Sequence, residues 1–326
     1  MESIKNYLRL GAITLLFIGW LLKGNYKVAK KTFLAMSLAM LSLILNGARA
    51  LNFAVLILFT ICITYPIETI IKSTFRINAI LVILMLILMA CHVVNNTSYI
   101  SSMGRLRYTL GFENPNVAAL FYSSAIYLFI VSRKKINSLT IIFTVLMSFI
   151  VFFYTNSRTS LLALLIFVIL EVTYLILKKR NMVNAEKIFG KCSILLVDIL
   201  FALNLFSVFT INKFMVFDKL LSFRISTFSE MINKSGMKCF LLGGTLETVD
   251  NFYYMLLFQY GIFIYMFVAI SVHITLKKMI TNNNLQYVAL VVGLFLVAMM
   301  ESSLIRPEIL VTLVIWKIIL KDKSMN

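Results

Sequence analysis

The stretch FFYTNSRTSLLALL, Phe152 to Leu165, sets a short polar turn carrying one arginine between two strongly apolar runs. Apolar runs of about 20 residues read as transmembrane helices, so the stretch reads as a tight reversal at a bilayer surface. Such runs recur along the 326 residues, which are 61% hydrophobic with a mean hydropathy of +0.94. Hydrophobic surface this continuous needs lipid to cover it. The bilayer core offers no water to backbone groups, which favours a helix bundle, and the runs are too long and unbroken for the alternating strands of a barrel.

The expected fold is therefore all-α: a polytopic transmembrane helix bundle of about eleven helices (roughly 10–12), forming a single integral-membrane domain over residues 1–326. The expected spans are Leu8–Leu22, Thr32–Asn46, Leu51–Tyr65, Ile77–Val94, Pro115–Val131, Leu139–Tyr154, Thr159–Leu177, Cys192–Thr210, Asn251–Thr275, Leu285–Met300 and Ile309–Leu320. No soluble domain or internal repeat is evident. The N-terminal apolar run lacks a small-residue cleavage site and reads as a retained helix.

Orientation follows from charge. Short cytoplasmic loops collect lysine and arginine, which accounts for a formal charge of +18 without invoking nucleic acid. Lys23/Lys27/Lys30/Lys31, Lys72/Arg76, Arg133/Lys134/Lys135, Lys178/Lys179/Arg180, Lys277/Lys278 and Lys321/Lys323 fall at alternate connections, so all can be cytoplasmic together. The C-terminus is then inside, and the N-terminus outside despite Lys5 and Arg9. The connections left outside include the two substantial loops, near residues 95–114 and 211–250, the second about 40 residues long and amphipathic in parts. The inside face has only short basic turns, which reads as too little to build a site for a cytosolic nucleotide-sugar.

Lysines outnumber arginines about two to one, yet the outer connections carry Arg49, Arg105, Arg107, Arg158, Arg224 and Arg306. Charge on that side runs against the topological bias. Arginine presents a planar fork that grips phosphate bidentately, whereas lysine is a point charge. The set points to an anionic ligand at the outer rim, against the simpler reading that each pairs with a headgroup or a carboxylate. Helix direction adds to this. The spans starting at Pro115, Thr159 and Asn251 run from outside to inside, so their free N–H groups and positive dipole ends face the outer surface. Asn114 before Pro115, Ser157 or Thr159, and Asp250 supply capping chemistry at those starts.

Other polar residues carry less. Cys62, Cys91, Cys192 and Cys239 have no CxxC spacing and read as packing residues. His92 and His273 are isolated and lack metal-ligand spacing. Glu171 is expected to pair with or snorkel toward the Lys178 end of its helix. Asp198 lies deeper, where an intramembrane acid is a functional suspect, although the sequence names no partner for it. No D-x-D pair appears among the four aspartates, and no metal or other cofactor is expected.

The segment GRLRYTLGFENPNVAAL (Gly104–Leu120) resembles a motif of bacterial Wzy-type polysaccharide repeat-unit polymerases, relatives of the O-antigen ligases. NSRTSLLALL is similar to that family's Ser-Arg turn entering a helix. KLLSFRISTF (Lys219–Phe228) resembles its arginine-containing outer-loop element, with Phe223 where a glycine is expected. TVDNFYYMLLFQYGIF (Thr248–Phe263) resembles its Asp-Asn-x-Tyr helix entry, and Glu301 fits a glutamate near the end of the following span. The resemblance runs from about Arg105 onward; the first hundred residues match only in hydropathy.

The resemblance implies a glycosyltransferase with a GT-C-like membrane fold in the bacterial plasma membrane, active on its extracytoplasmic face. It would polymerise undecaprenyl-pyrophosphate-linked oligosaccharide repeat units into capsule, exopolysaccharide or O-antigen, using no nucleotide sugar. A flippase and a chain-length regulator of the same pathway, with membrane lipid, are its expected partners. Loss of a pyrophosphate leaving group needs preorganised positive charge, the role expected of Arg158 and Arg224, with Arg105 and Arg107 binding phosphate or positioning the donor. Asp250 is the best-placed carboxylate to take the acceptor proton, with Glu301 second; capping and orienting Arg224 is the other reading of Asp250. Asn114, Asn116, Asn251 and Tyr253 are candidate sugar or phosphate hydrogen-bonders. Ligase relatives carry histidine where this chain has Asp250, which favours polymerase over an O-antigen-ligase-like transferase. A lipid-linked oligosaccharide flippase is the alternative from another class, and such proteins place charges and broken helices near the midplane.

Overall fold

A computed structural model describes residues 2–23, 30–100, 104–133, 136–209, 236, 239–244 and 250–320. Four helices come first: α1 (Glu2–Lys23), α2 (Lys30–Asn46), α3 (Leu51–Cys62) and α4 (Ile67–Ala90). A small antiparallel hairpin follows, β1 (Ser98–Ile100) with β2 (Leu106–Tyr108), in the register Tyr99 opposite Arg107. Then come α5 (Pro115–Ser132), α6 (Ser138–Thr155), α7 (Arg158–Lys179), α8 (Val183–Phe209), α9 (Phe252–Met255), α10 (Ile262–Thr281), α11 (Leu285–Val297) and α12 (Leu310–Leu320).

Among the described residues six helices, α4, α5, α6, α7, α8 and α10, are long and apolar enough to cross a membrane. Their outward faces are apolar too. On α4, Ile80, Ile83, Leu86 and Ile87 are exposed, and only 11% of its most apolar window is buried. A surface built this way belongs against hydrocarbon rather than water. α5 is the opposite case, with 72% of its window buried, and forms the centre of the bundle beside α11 and α12.

Most expected spans reappear with shifted ends; α8 begins nine residues before the expected Cys192, and three further departures stand out. α4 begins ten residues before the expected Ile77, so Lys72 and Arg76 lie on helix rather than in a connection. The expected span Asn251–Thr275 is broken: α9 passes through a π turn, Leu256–Tyr260, and stops at Gly261. Gly261 has φ +87°, and a Cβ there would sit 2.5 Å from the carbonyl oxygen of Leu241. Only glycine combines that backbone angle with so close an approach. The expected helix Leu285–Met300 ends at Val297, and a non-helical passage with one 3-10 turn at Ser303–Ile305 leads to α12.

Small polar residues join helices where apolar contact with lipid gives no drive for association. Ser124 Oγ of α5 accepts from Asn78 Nδ2 of α4 at 2.9 Å and from the Val311 backbone N–H of α12 at 3.0 Å. At one end of the bundle Lys31 donates to the carbonyls of Ile319 and Ser271 and to Thr275 Oγ1. Lys317 donates to the carbonyl of Thr60 nearby in the same layer of helix ends. Glu171, expected to pair toward Lys178, does not: it is 2% exposed, and neither carboxylate oxygen has a hydrogen-bond partner among the described residues.

Candidate functional site

The turn between α6 and α7 is two residues long. Asn156 takes the left-handed conformation (φ 48°, ψ 36°) that ends α6, which asparagine tolerates better than most residues. Ser157 stands at the N-cap position of α7 without capping it: its Oγ meets Ser160 Oγ at 3.1 Å rather than a backbone N–H. Arg158 is then the first residue of α7 and is exposed. Among the described residues it has no hydrogen bond or ion pair. The start of α7 thus presents amides free of a side-chain cap together with a guanidinium.

The hairpin carries two more arginines to the same place. Arg107 Nε donates to the carbonyl of Thr155 at 2.9 Å, and its NH2 donates to Asn116 Oδ1. One side chain thereby ties β2 to the end of α6 and the start of α5. Tyr108 adds an edge-on ring contact with Tyr154, centroids 6.2 Å apart. Arg105 is half-buried, and its pKa is lowered first by desolvation and then by the charges of Arg158 and Arg107. Arg158 and Arg107 thus act on Arg105 as neighbouring like charges, which places the three guanidinium groups near one another. Asn114 and Asn116 have local duties: Asn114 caps α5 by accepting from the Asn116 N–H at 2.7 Å, and Asn116 holds Arg107.

A second group gathers around the start of α9, at the same end of the bundle. Asp250 pairs with Arg306 at 3.9 Å, and Arg306 also donates to Ser302 Oγ at 3.1 Å. Asp250 does not cap the helix as expected; Asn251 does, accepting from the N–H groups of Tyr253 and Tyr254 at 2.9 and 3.1 Å. Asn251 also donates to Asn204 Oδ1 of α8 at 3.1 Å. Tyr253, a candidate sugar binder, is fully buried and donates to the carbonyl of Phe295 at 2.8 Å. These two side chains tie helices together in the core. Glu301 is buried just past α11, where the backbone N–H of Phe252 bonds to the carbonyl of Ala298 at 2.9 Å. Asp250, half exposed, is the accessible carboxylate of the group. Arg224 lies outside the described residues.

Between the two groups lies a cavity of about 10 Å³, the room of one water. The hydroxyls of Ser123, Tyr127 and Ser303, which line it, have no hydrogen-bond partner among the described residues. On the flank of α1, Arg9 and Glu308 share the lining of a mostly apolar groove of about 580 Å³. Within the apolar segments Asp198 of α8 finds a partner that the sequence did not name, His273 of α10, at 2.8 Å. Among the described residues no group of three or more His, Cys, Asp or Glu is placed to hold a metal ion.

The described residues define a helical protein with six helices able to cross a bilayer and three neighbouring arginines at one end of the bundle. Comparison with family models, curated proteins and solved structures yields no match for the chain.

Proposed function

We propose that the chain is a bacterial plasma-membrane glycosyltransferase of the Wzy type, with about eleven spans in a GT-C-like arrangement. In this reading the arginine end faces outward, as the lysine distribution favours. The reaction joins undecaprenyl-pyrophosphate-linked repeat units: the sugar C1–O bond to pyrophosphate breaks, and a C1–O bond to an acceptor hydroxyl forms. The acceptor proton passes to a base, and undecaprenyl pyrophosphate leaves as the anion.

The observation that carries the proposal is the proximity of Arg105, Arg107 and Arg158 beside an uncapped helix start. Fixed positive charge aimed where negative charge develops is a strong means of lowering such a barrier. In this assignment Arg158 meets the pyrophosphate, Arg107 holds the scaffold, and Arg105 binds phosphate or positions the donor. Asp250, which pairs with Arg306, is the base. Arg224 keeps the leaving-group role that the resemblance implies for it. The test is elongation by the purified protein in vesicles carrying lipid-linked repeat units on one face. Longer chains support the proposal; full elongation by Arg158→Ala sinks it.

A flippase is the second reading, and the interruptions at Gly261 and between α11 and α12 favour it, since transporters use broken helices. Movement of the same substrate across the vesicle without elongation would select it. An O-antigen-ligase-like transfer to an envelope acceptor differs only in acceptor, and the same vesicles separate it by supplying that acceptor.

A further inference from the structure

The opposite end of the bundle was expected to hold nothing but short basic turns. It holds a cavity of about 320 Å³ between the start of α4, the ends of α5 and α7, and the turn before α11. That volume is at the lower end of the range for small-ligand sites. Three cations from three helices line it: Lys72, Arg133 and Lys178. The carboxylate in the lining is Glu68, and it forms no ion pair with any of the three, although it lies one helical turn before Lys72. Glu171, one turn deeper on α7, does not line the cavity.

Two of the cations are positioned by aromatic rings. The Arg133 guanidinium lies over Phe129, 4.6 Å from the ring centre. Lys178 Nζ donates to the Tyr174 hydroxyl at 3.2 Å and stands 5.5 Å from the same ring. Their charge is oriented without being cancelled. Three cations against the one carboxylate of Glu68 leave the concavity net positive, which a bound anion would offset. An arginine fork with two ammonium groups matches phosphate in geometry and charge. Basic pockets between transmembrane helices on the cytoplasmic side bind phosphorylated headgroups.

We infer that the cavity between α4, α5, α7 and α11 is a binding site for a phosphate group, held by Lys72, Arg133 and Lys178. It is separate from the arginine cluster, because α5 and α7 each run from one site to the other. The phosphate belongs either to an anionic lipid headgroup or to a soluble phosphorylated compound, and one experiment distinguishes them.

The full chain is placed in nanodiscs of phosphatidylcholine with or without phosphatidic acid, and retained lipid is counted by native mass spectrometry. In parallel, inorganic pyrophosphate is titrated while thermal unfolding is followed. The variants are Lys72→Gln/Arg133→Gln/Lys178→Gln, the charge-keeping Lys72→Arg/Arg133→Lys/Lys178→Arg, and Arg158→Ala, which disables the other end. Phosphatidic acid retention that falls at least tenfold in the glutamine variant, with no pyrophosphate response at this end, assigns a lipid phosphate. A pyrophosphate-induced rise in Tm that survives Arg158→Ala and vanishes in the glutamine variant assigns a soluble one. The charge-keeping variant should bind within a few fold of the unmodified protein, which separates loss of charge from loss of fold. Binding unchanged in the glutamine variant, or no binding of either probe to the unmodified protein, overturns the site whatever the outcome at Arg158.

Discussion

Asp198 Oδ2 of α8 and His273 Nδ1 of α10 lie 2.8 Å apart, both half exposed on the flank of the bundle. Each satisfies the other where water is scarce. Removing one leaves a polar group without a partner, whereas replacing both with apolar side chains leaves none. Asp198→Leu or His273→Leu alone should lower stability. The double variant should recover part of that loss, with a coupling on the order of 0.5–1.5 kcal/mol. Thermal unfolding of the four proteins in one detergent gives the cycle, and strict additivity would show the pair to be incidental.

Arg158 and Arg107 should separate cleanly. Arg158→Ala removes an exposed side chain with no structural partner among the described residues and relieves repulsion on Arg105. Its stability should stay level or rise, by roughly a few tenths of a kcal/mol, the worth of an exposed charge pair. Elongation should fall about 100-fold or more, as for loss of one transition-state donor. Arg158→Lys keeps the charge but not the fork and should recover little of it.

Arg107→Ala loses the bonds to Thr155 and Asn116 that pin the hairpin to two helix ends. Hydrogen bonds from a charged donor contribute about 1.5–3 kcal/mol, and partial exposure brings the expected loss to roughly 1–2 kcal/mol. The measurement is Tm beside activity per folded molecule. A larger fractional loss of activity than of folded protein would give Arg107 a ligand contact as well.

Asn251→Ala should behave as a stability variant. It removes two cap bonds and the contact with Asn204, and an N-cap alone is worth about 1–2 kcal/mol. Asn251→Asp keeps the cap and should cost less. For both, the apparent KM for the lipid-linked donor should not move; a tenfold rise would return Asn251 to the ligand site.

Gly261→Ala tests the break between α9 and α10. The new Cβ would meet the Leu241 carbonyl at 2.5 Å in a backbone conformation that disfavours side chains. The conformation alone costs about 1–3 kcal/mol, so folded yield should drop sharply. Near-normal yield and Tm would mean that the segment 239–244 is not packed against this turn.

What was readable in advance was whatever local chemistry decides. α5, α6 and α7 start and stop within two residues of expectation because Asn114, Pro115, Asn137, Asn156 and Ser157 mark their ends. The clustering of arginines at one end was likewise readable, since charge patterning alternates with helix direction. The Gly261 break was not, because it depends on a carbonyl twenty residues away in sequence. Nor was the partnership of Asp198 with His273, 75 residues apart. That Asn251 and Tyr253 tie helices together was not readable either, because hydropathy does not distinguish a polar residue facing a site from one joining helices. The cavity lined by Lys72, Arg133 and Lys178 was missed because its walls are helix ends far apart in sequence, and only packing brings them to one place.

The Lys31 ammonium sits 2.6 Å from the Ile319 carbonyl, a contact spanning 288 positions. At translation rates of about 5–20 residues per second, roughly 15–60 s separate the synthesis of the two partners. Ser271 and Thr275, the other partners of Lys31, are made before the Ile319 carbonyl that completes the contact. Assembly of the bundle is therefore closed late, by a C-terminal helix docking onto an N-terminal one. A ribosome stalled before α12 leaves a quality-control protease an open seam.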